Sequence, residues 1–164
     1  MMNRNMRRAD REITDEGAID GIFHEALVGH LGLCDGDEPY VVPMNFVLCG
    51  SALYLHCAHE GRRMDILRKN PKACLQTEVG TALTAGPHPC DYGMDYRSAI
   101  ASGTVRVVGD NDEKNRALVA LMKKYAGEDF SHAFSEKELA GVTVLCLDIE
   151  EKRGKARVSR PSPQ

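Results

Sequence analysis

The chain has 164 residues, 43% of them hydrophobic and 27% charged, with a formal net charge of -3 at neutral pH. That composition suits one globular domain with a real core and is short for two. A negative balance argues against a general nucleic-acid binder, which needs a basic face, yet leaves room for a local basic pocket.

No apolar run approaches the length of a bilayer span. The basic start from Met1 to Arg8 lacks the apolar stretch of a secretory signal. A cytoplasmic protein with neither membrane nor nucleic-acid partners is therefore expected. Cys34, Cys49, Cys57, Cys74 and Cys146 sit in apolar strand patterns and read as buried free thiols of a reducing compartment. His56, Cys57, His59, His88 and Cys90 form neither a Cys-x-x-Cys pair nor a His-x-x-x-His helix, so no metal site is expected.

In chain order, residues 1–13 are polar and form an N-terminal arm. Thr14-Asp-Glu starts a helix in which Ile19, Ile22, Phe23 and Ala26 make one apolar stripe. His30 to Cys34 and Tyr40 to Cys49 are two strands about the turn Asp35–Pro39, and Leu53 to Ala58 is the third. A short helix, Arg62 to Lys69, ends at Asn70-Pro71 because the residue before proline avoids helical dihedrals. Ala73 to Val79 is the fourth strand, Gly80 to Asp95 a long loop, and Tyr96 to Val108 the fifth strand. A helix follows with Leu118, Leu121, Met122 and Tyr125 on one face. Lys114, Lys123 and Lys124 read as its solvated side. A helical turn near Ser135 precedes the sixth strand, Val142 to Ile149, and a basic, frayed tail over 151–164. Six strands with mostly tight connections predict an antiparallel sheet over 14–150, able to close as a small barrel.

Four features offer chemistry. Gly61-Arg62-Arg63 opens a helix, where free N–H groups, the helix dipole and two guanidiniums can seat a phosphate. The same turn also reads as a solvated corner. Pro43 marks an edge or bulge, where the backbone of a locally open sheet could meet a planar ring, or meet nothing. Arg97 and Ser98 stand at a strand mouth. His56 is either a half-buried imidazole bonded to backbone or a group offered to a ligand. No Gly-x-Gly-x-x-Gly, Walker loop or Gly-x-Ser-x-Gly elbow is present, which removes Rossmann, kinase-like and serine-hydrolase readings.

Taken together, Met6–Ile13, Pro39–Phe46, Leu53–Ala58, Gly61–Ile66, Asn70-Pro71, Tyr96–Gly103 and Gly154-Lys155 resemble the pyridoxamine 5′-phosphate oxidase-like family of flavin-binding split barrels, in its nitroimidazole-resistance branch. The resemblance implies a six-stranded antiparallel split β-barrel and a homodimer with FMN between the subunits. It further implies an oxidoreductase that passes electrons from a small donor to a small acceptor such as a nitroaromatic (5-nitroimidazole) compound. By the same resemblance, Val42, Pro43, Met44 and Asn45 face the isoalloxazine ring. His56, Ala58 and Arg63 lie near the ribityl phosphate with Arg62 assisting, and Arg97 and Ser98 add contacts. His56 is the candidate catalytic proton donor. The family more often has serine at Cys57, lysine at Arg63 and an aromatic at Ser102. Arginine keeps the cation and adds a fork. Two rival readings remain: a non-enzymatic flavin or haem binder using His30, His56 or His59, and an interaction module with an empty cleft.

Overall fold

The computed structural model describes residues 6–158. Its strands are β1 (Glu12–Ile13), β2 (Gly29–Asp35), β3 (Glu38–Met44), β4 (Phe46–Cys49), β5 (Ala52–Cys57), β6 (Lys72–Thr84), β7 (Gly93–Val107) and β8 (Thr143–Arg157). The helices are α1 (Glu16–Glu25), α2 (Arg62–Lys69), α3 (Asn111–Ala126) and α4 (Glu136–Ala140). All strand pairings are antiparallel, in the order β3-β2-β6-β7-β8-β5-β4, with β1 added to β8. The sheet thus has eight strands where six were expected.

The two ends of that order, β3 and β4, are consecutive in the chain and separated only by Asn45. The sheet must therefore roll until its edges meet, but the edges do not pair. This is a barrel split along one seam, and Asn45 stands in it.

One core fills the interior. Leu31, Leu33, Met44, Phe46, Leu53, Leu55, Leu75, Ala99, Ala101, Leu145 and Leu147 from the strands meet Ile19, Ile22 and Phe23 of α1 and Met64, Ile66 and Leu67 of α2. Phe23 meets Phe46 edge to face at 6.2 Å, the arrangement favoured by ring quadrupoles. A second core lies outside the barrel, where Ala117, Leu118 and Leu121 of α3 cover Val47, Ala52, Val144 and Cys146. Tyr54 and Arg106 pin α3 through Glu113, at 2.8 Å and 2.6 Å, and hold its carboxyl below the usual range.

Several boundaries differ from those read in the sequence. The strand expected over Tyr40–Cys49 breaks at Asn45. The loop expected over Gly80–Asp95 is mostly a hairpin: β6 runs to Thr84 and β7 begins at Gly93, with a register shift between Val79 and Ala82. The expected frayed tail is strand as far as Arg157, paired with β7 and with Glu12–Ile13 of the expected arm. Residues 159–164 lie outside the described residues. Lys124 is not on a solvated face: its Nζ donates to Phe23 O at 2.9 Å and lies 3.7 Å from the Phe46 ring centre. Lys114 donates to Leu139 O at 2.7 Å, tying α3 to α4. The cysteines are free, with Cys57 and Cys146 buried, but Cys34 is exposed.

Candidate functional site

The seam gathers most of the residues singled out in the sequence. On its inner side, β3 is an edge strand, so Pro43 costs no ladder bond from a neighbour on its outer flank. Met44 is buried in the barrel core and Val42 packs half-buried against it. α2 begins beside them. Gly61 precedes it with φ of 114°, a backbone conformation that favours glycine, and gives no side-chain cap. The first N–H groups of this eight-residue helix therefore lack the partner that serine or aspartate would supply.

Arg62 and Arg63 leave this turn in different states. Arg62 is engaged: Nη2 lies 2.8 Å from Glu38 Oε1, and the guanidinium sits 5.2 Å from the Tyr40 ring centre. Arg63 is half-buried, and its Nη1 donates to Met44 Sδ at 2.9 Å. Its Nε is buried with no hydrogen-bond partner. A thioether is a weak acceptor for a guanidinium, and an unpaired buried donor is costly. The donor set fits an anion, such as the phosphate of FMN, better than it fits the side chains around it.

On the outer side of the seam, a cavity of about 490 Å³ is lined by Asn45, His56, Leu118, Leu121, Met122, Tyr125, Phe134, Glu138 and Val142. As the alternation of β5 predicts, Leu53, Leu55 and Cys57 enter the barrel core while Tyr54 and His56 point toward the α3 side. His56 is exposed at the cavity wall. Tyr125 closes the seam beneath it: its hydroxyl accepts from Phe46 N at 3.0 Å and lies 2.8 Å from Leu27 O, to which it can donate.

The remaining expected residues stand apart. Ala58 is exposed just beyond β5. Arg97, on β7, is drawn to Glu25 at 2.8 Å, at the end of α1. Ser98 Oγ donates to Lys155 O at 3.3 Å. His30 Nδ1 is buried and unpartnered, and His59 Nδ1 lies 2.7 Å from Thr143 Oγ1. Among the described residues, no three of His, Cys, Asp or Glu come together as a metal site, and no helix is long and apolar enough to cross a membrane.

Sequence reading missed the α3–α4 wall of the cavity. Leu118, Leu121, Met122 and Tyr125 were visible only as a core stripe, and Glu138 and Val142 only as parts of a helical turn and a strand, with nothing to bring them together with Phe134.

An antiparallel barrel split at one seam, with a basic helix start on one side and a His-bearing cavity on the other, defines the class. The model of the pyridoxamine 5′-phosphate oxidase family matches residues 15–156, and the chain belongs to that family.

Among known proteins, the chain is 34% identical over 144 residues to an uncharacterised protein of Rhizobium meliloti (strain 1021), covering 83% of this chain and 88% of that one. A crystal structure from Bacteroides thetaiotaomicron VPI-5482, described as a candidate 5-nitroimidazole antibiotic resistance protein, superposes with a TM-score of 0.78 at 31% identity, covering 88% of this chain and 86% of that one. An FAD- and haem-binding protein of Mycobacterium smegmatis shares the fold, with a TM-score of 0.83 at 21% identity over 94% of this chain and 77% of that one.

Proposed function

We propose that the protein is an FMN-dependent oxidoreductase acting as a homodimer, with small nitroaromatic compounds among its electron acceptors. One observation carries the reading: the buried, unpartnered Nε of Arg63 at the uncapped start of α2, beside the edge strand β3. Arg63 and the first N–H groups of α2 would hold the phosphate, with Arg62 adding positive charge. The edge backbone from Val42 to Asn45 would lie along the ring, and Ala58, Arg97 and Ser98 would complete the cradle.

The flavin, when bound, supplies the electron transfer. This chain's own residues anchor it, orient it and manage protons. His56 can hold a proton at the cavity wall and deliver it to a reduced acceptor. A second subunit would cover the exposed apolar groups near the seam and on the hairpin, among them Val41 (64% exposed) and Leu83 (71%). The likeness to the Bacteroides protein, at 31% identity, supports nitroaromatic acceptors.

The test is a visible spectrum of purified protein before and after FMN, followed by NAD(P)H oxidation with a nitroaromatic acceptor. A flavin doublet, saturable FMN binding and acceptor-dependent turnover are expected. His56→Ala should retain FMN and lose turnover; full activity in that variant would remove His56 from the mechanism. The haem alternative draws on the unpartnered His30 Nδ1. A Soret band in place of the flavin doublet would establish it.

A further inference from the structure

We infer that the cavity between the seam and helices α3 and α4 is a small-molecule site for a flat aromatic ring bearing a cationic substituent, and that Glu138 sets its charge preference. The volume of about 490 Å³ lies in the range of ligand pockets, and the lining is mainly apolar. Leu118, Leu121, Met122 and Val142 supply aliphatic and thioether surface, and Tyr125 and Phe134 supply ring surface. Such walls favour a planar aromatic body.

Polar groups stand on two walls. Asn45 and His56 come from the sheet and offer hydrogen bonds on the seam side. Glu138 comes from α4 on the helical side. Its side chain is about half exposed, and its carboxylate is fixed at the cap of α4 on the rim of that wall. Ser135 N–H and Oγ–H donate to Oε2 at 2.8 Å and 2.7 Å, and His132 Nε2 lies 3.1 Å from Oε1. These contacts, the Ser135 bonds foremost, hold its pKa down at about 2, so it stays ionised through the working range.

Glu138 also reaches the cavity wall through its neighbours. The His132 ring meets that of Phe134 nearly perpendicularly at 4.7 Å. The charge and the aromatic wall are thus set by one capping box. A ligand with a hydrogen-bonding group at one end and an ammonium group at the other matches both sides. An anion of the same shape meets repulsion.

The binding claim stands independently of flavin; that the bound ring accepts electrons rests on the function proposed above. The experiment is isothermal titration of the full chain, at neutral pH, with three matched probes: 4-nitrobenzylamine (cation), 4-nitrobenzyl alcohol (neutral) and 4-nitrobenzoate (anion). The expected order is cation, then alcohol, then anion, with roughly fivefold or more between the charged probes at low salt. Glu138→Gln preserves the capping box, which accepts glutamine. It should bring the charged probes within about twofold of each other while leaving the alcohol unchanged. Met122→Trp, at a partly exposed wall position, should fill the cavity and weaken all three.

Absence of saturable binding by any probe would overturn the inference. So would discrimination unchanged in Glu138→Gln. Titrating FMN in parallel separates the two readings. Failure of FMN to bind removes the flavin reading and leaves the probe results standing. Competitive displacement of the probes by FMN would assign the cavity to the flavin and overturn this inference alone.

Discussion

The guanidinium of Arg63 donates to the thioether of Met44 at 2.9 Å while its own Nε stays buried without a partner. Arg62, one residue earlier, is already satisfied by Glu38 and Tyr40. The two arginines should therefore contribute unequally to FMN binding. Arg63→Ala should weaken it roughly tenfold to a hundredfold, the scale of a charge-assisted hydrogen bond in a partly buried site. Arg62→Ala should cost less than about threefold, because its side chain is exposed and its release from Glu38 offsets part of the loss. Flavin fluorescence quenching measures both, and equal effects would contradict the assignment.

Tyr125 is the residue on which the seam closes. Its hydroxyl accepts from Phe46 N and lies within bonding distance of Leu27 O. Tyr125→Phe removes the oxygen and leaves a half-buried backbone N–H unsatisfied. A loss of about 1–3 kcal/mol in chemical denaturation is expected. If the seam shapes the cavity, probe binding there should weaken in the same variant.

Gly103 lies at the register shift between β7 and β8, and a Cβ there would collide with the backbone carbonyl of Asp148. Carbonyl oxygens in a ladder cannot swing aside as a side chain can. Gly103→Ala should destabilise the fold by more than about 2 kcal/mol. The companion substitution Gly109→Ala, where a Cβ meets nothing within 4 Å, serves as the control and should change denaturation little.

The Glu138 carboxyl, held at about 2 against an ordinary 4.5, links the α4 cap to pH. An acid with a depressed folded pKa contributes stability that is whole above 4.5 and is lost as pH falls toward 2. Thermal melts between those limits should decline. The decline should be shallower in Glu138→Gln than in the parent chain. Asp10, Glu113 and Glu150 are also lowered and titrate on the same limb, so the difference between the two chains is the informative quantity.

The parts of the fold legible in the sequence are those signalled locally. Helix α2 falls where it was read, Arg62–Lys69, because Gly61 and Asn70-Pro71 punctuate it without help from tertiary structure. The stripe of Ile19, Ile22, Phe23 and Ala26 likewise names the buried face of α1. The missed features depend on partners distant in sequence. The second half of β8 looks like a charged tail because its inward positions meet α1 with unusual residues: Lys152 pairs with Asp20 at 2.6 Å, and Gly154 leaves room for Ile19. The outer end of the β6–β7 hairpin, from Gly80 to Asp95, has no hydrophobic period because it carries exposed groups such as Leu83 and Tyr92. The break at Asn45 is hidden in an apolar run that serves both edges of the seam. For the candidate site, the sequence marked Arg63 and His56; the fold sets Arg63 against Met44 of β3 and His56 on the cavity wall.

Pairing of Glu12–Ile13 with Lys155–Gly154 carries a consequence for biosynthesis. The last of the eight described strands, β8, lies inside the sheet, flanked by β7 and β5, and also receives the first. A nascent chain can form helices and the β6–β7 hairpin early, yet the barrel stays unfinished until β8 has been made as far as Arg157. Until then the inner apolar surface that β8 covers, Leu145 and Leu147 included, stays without its central strand.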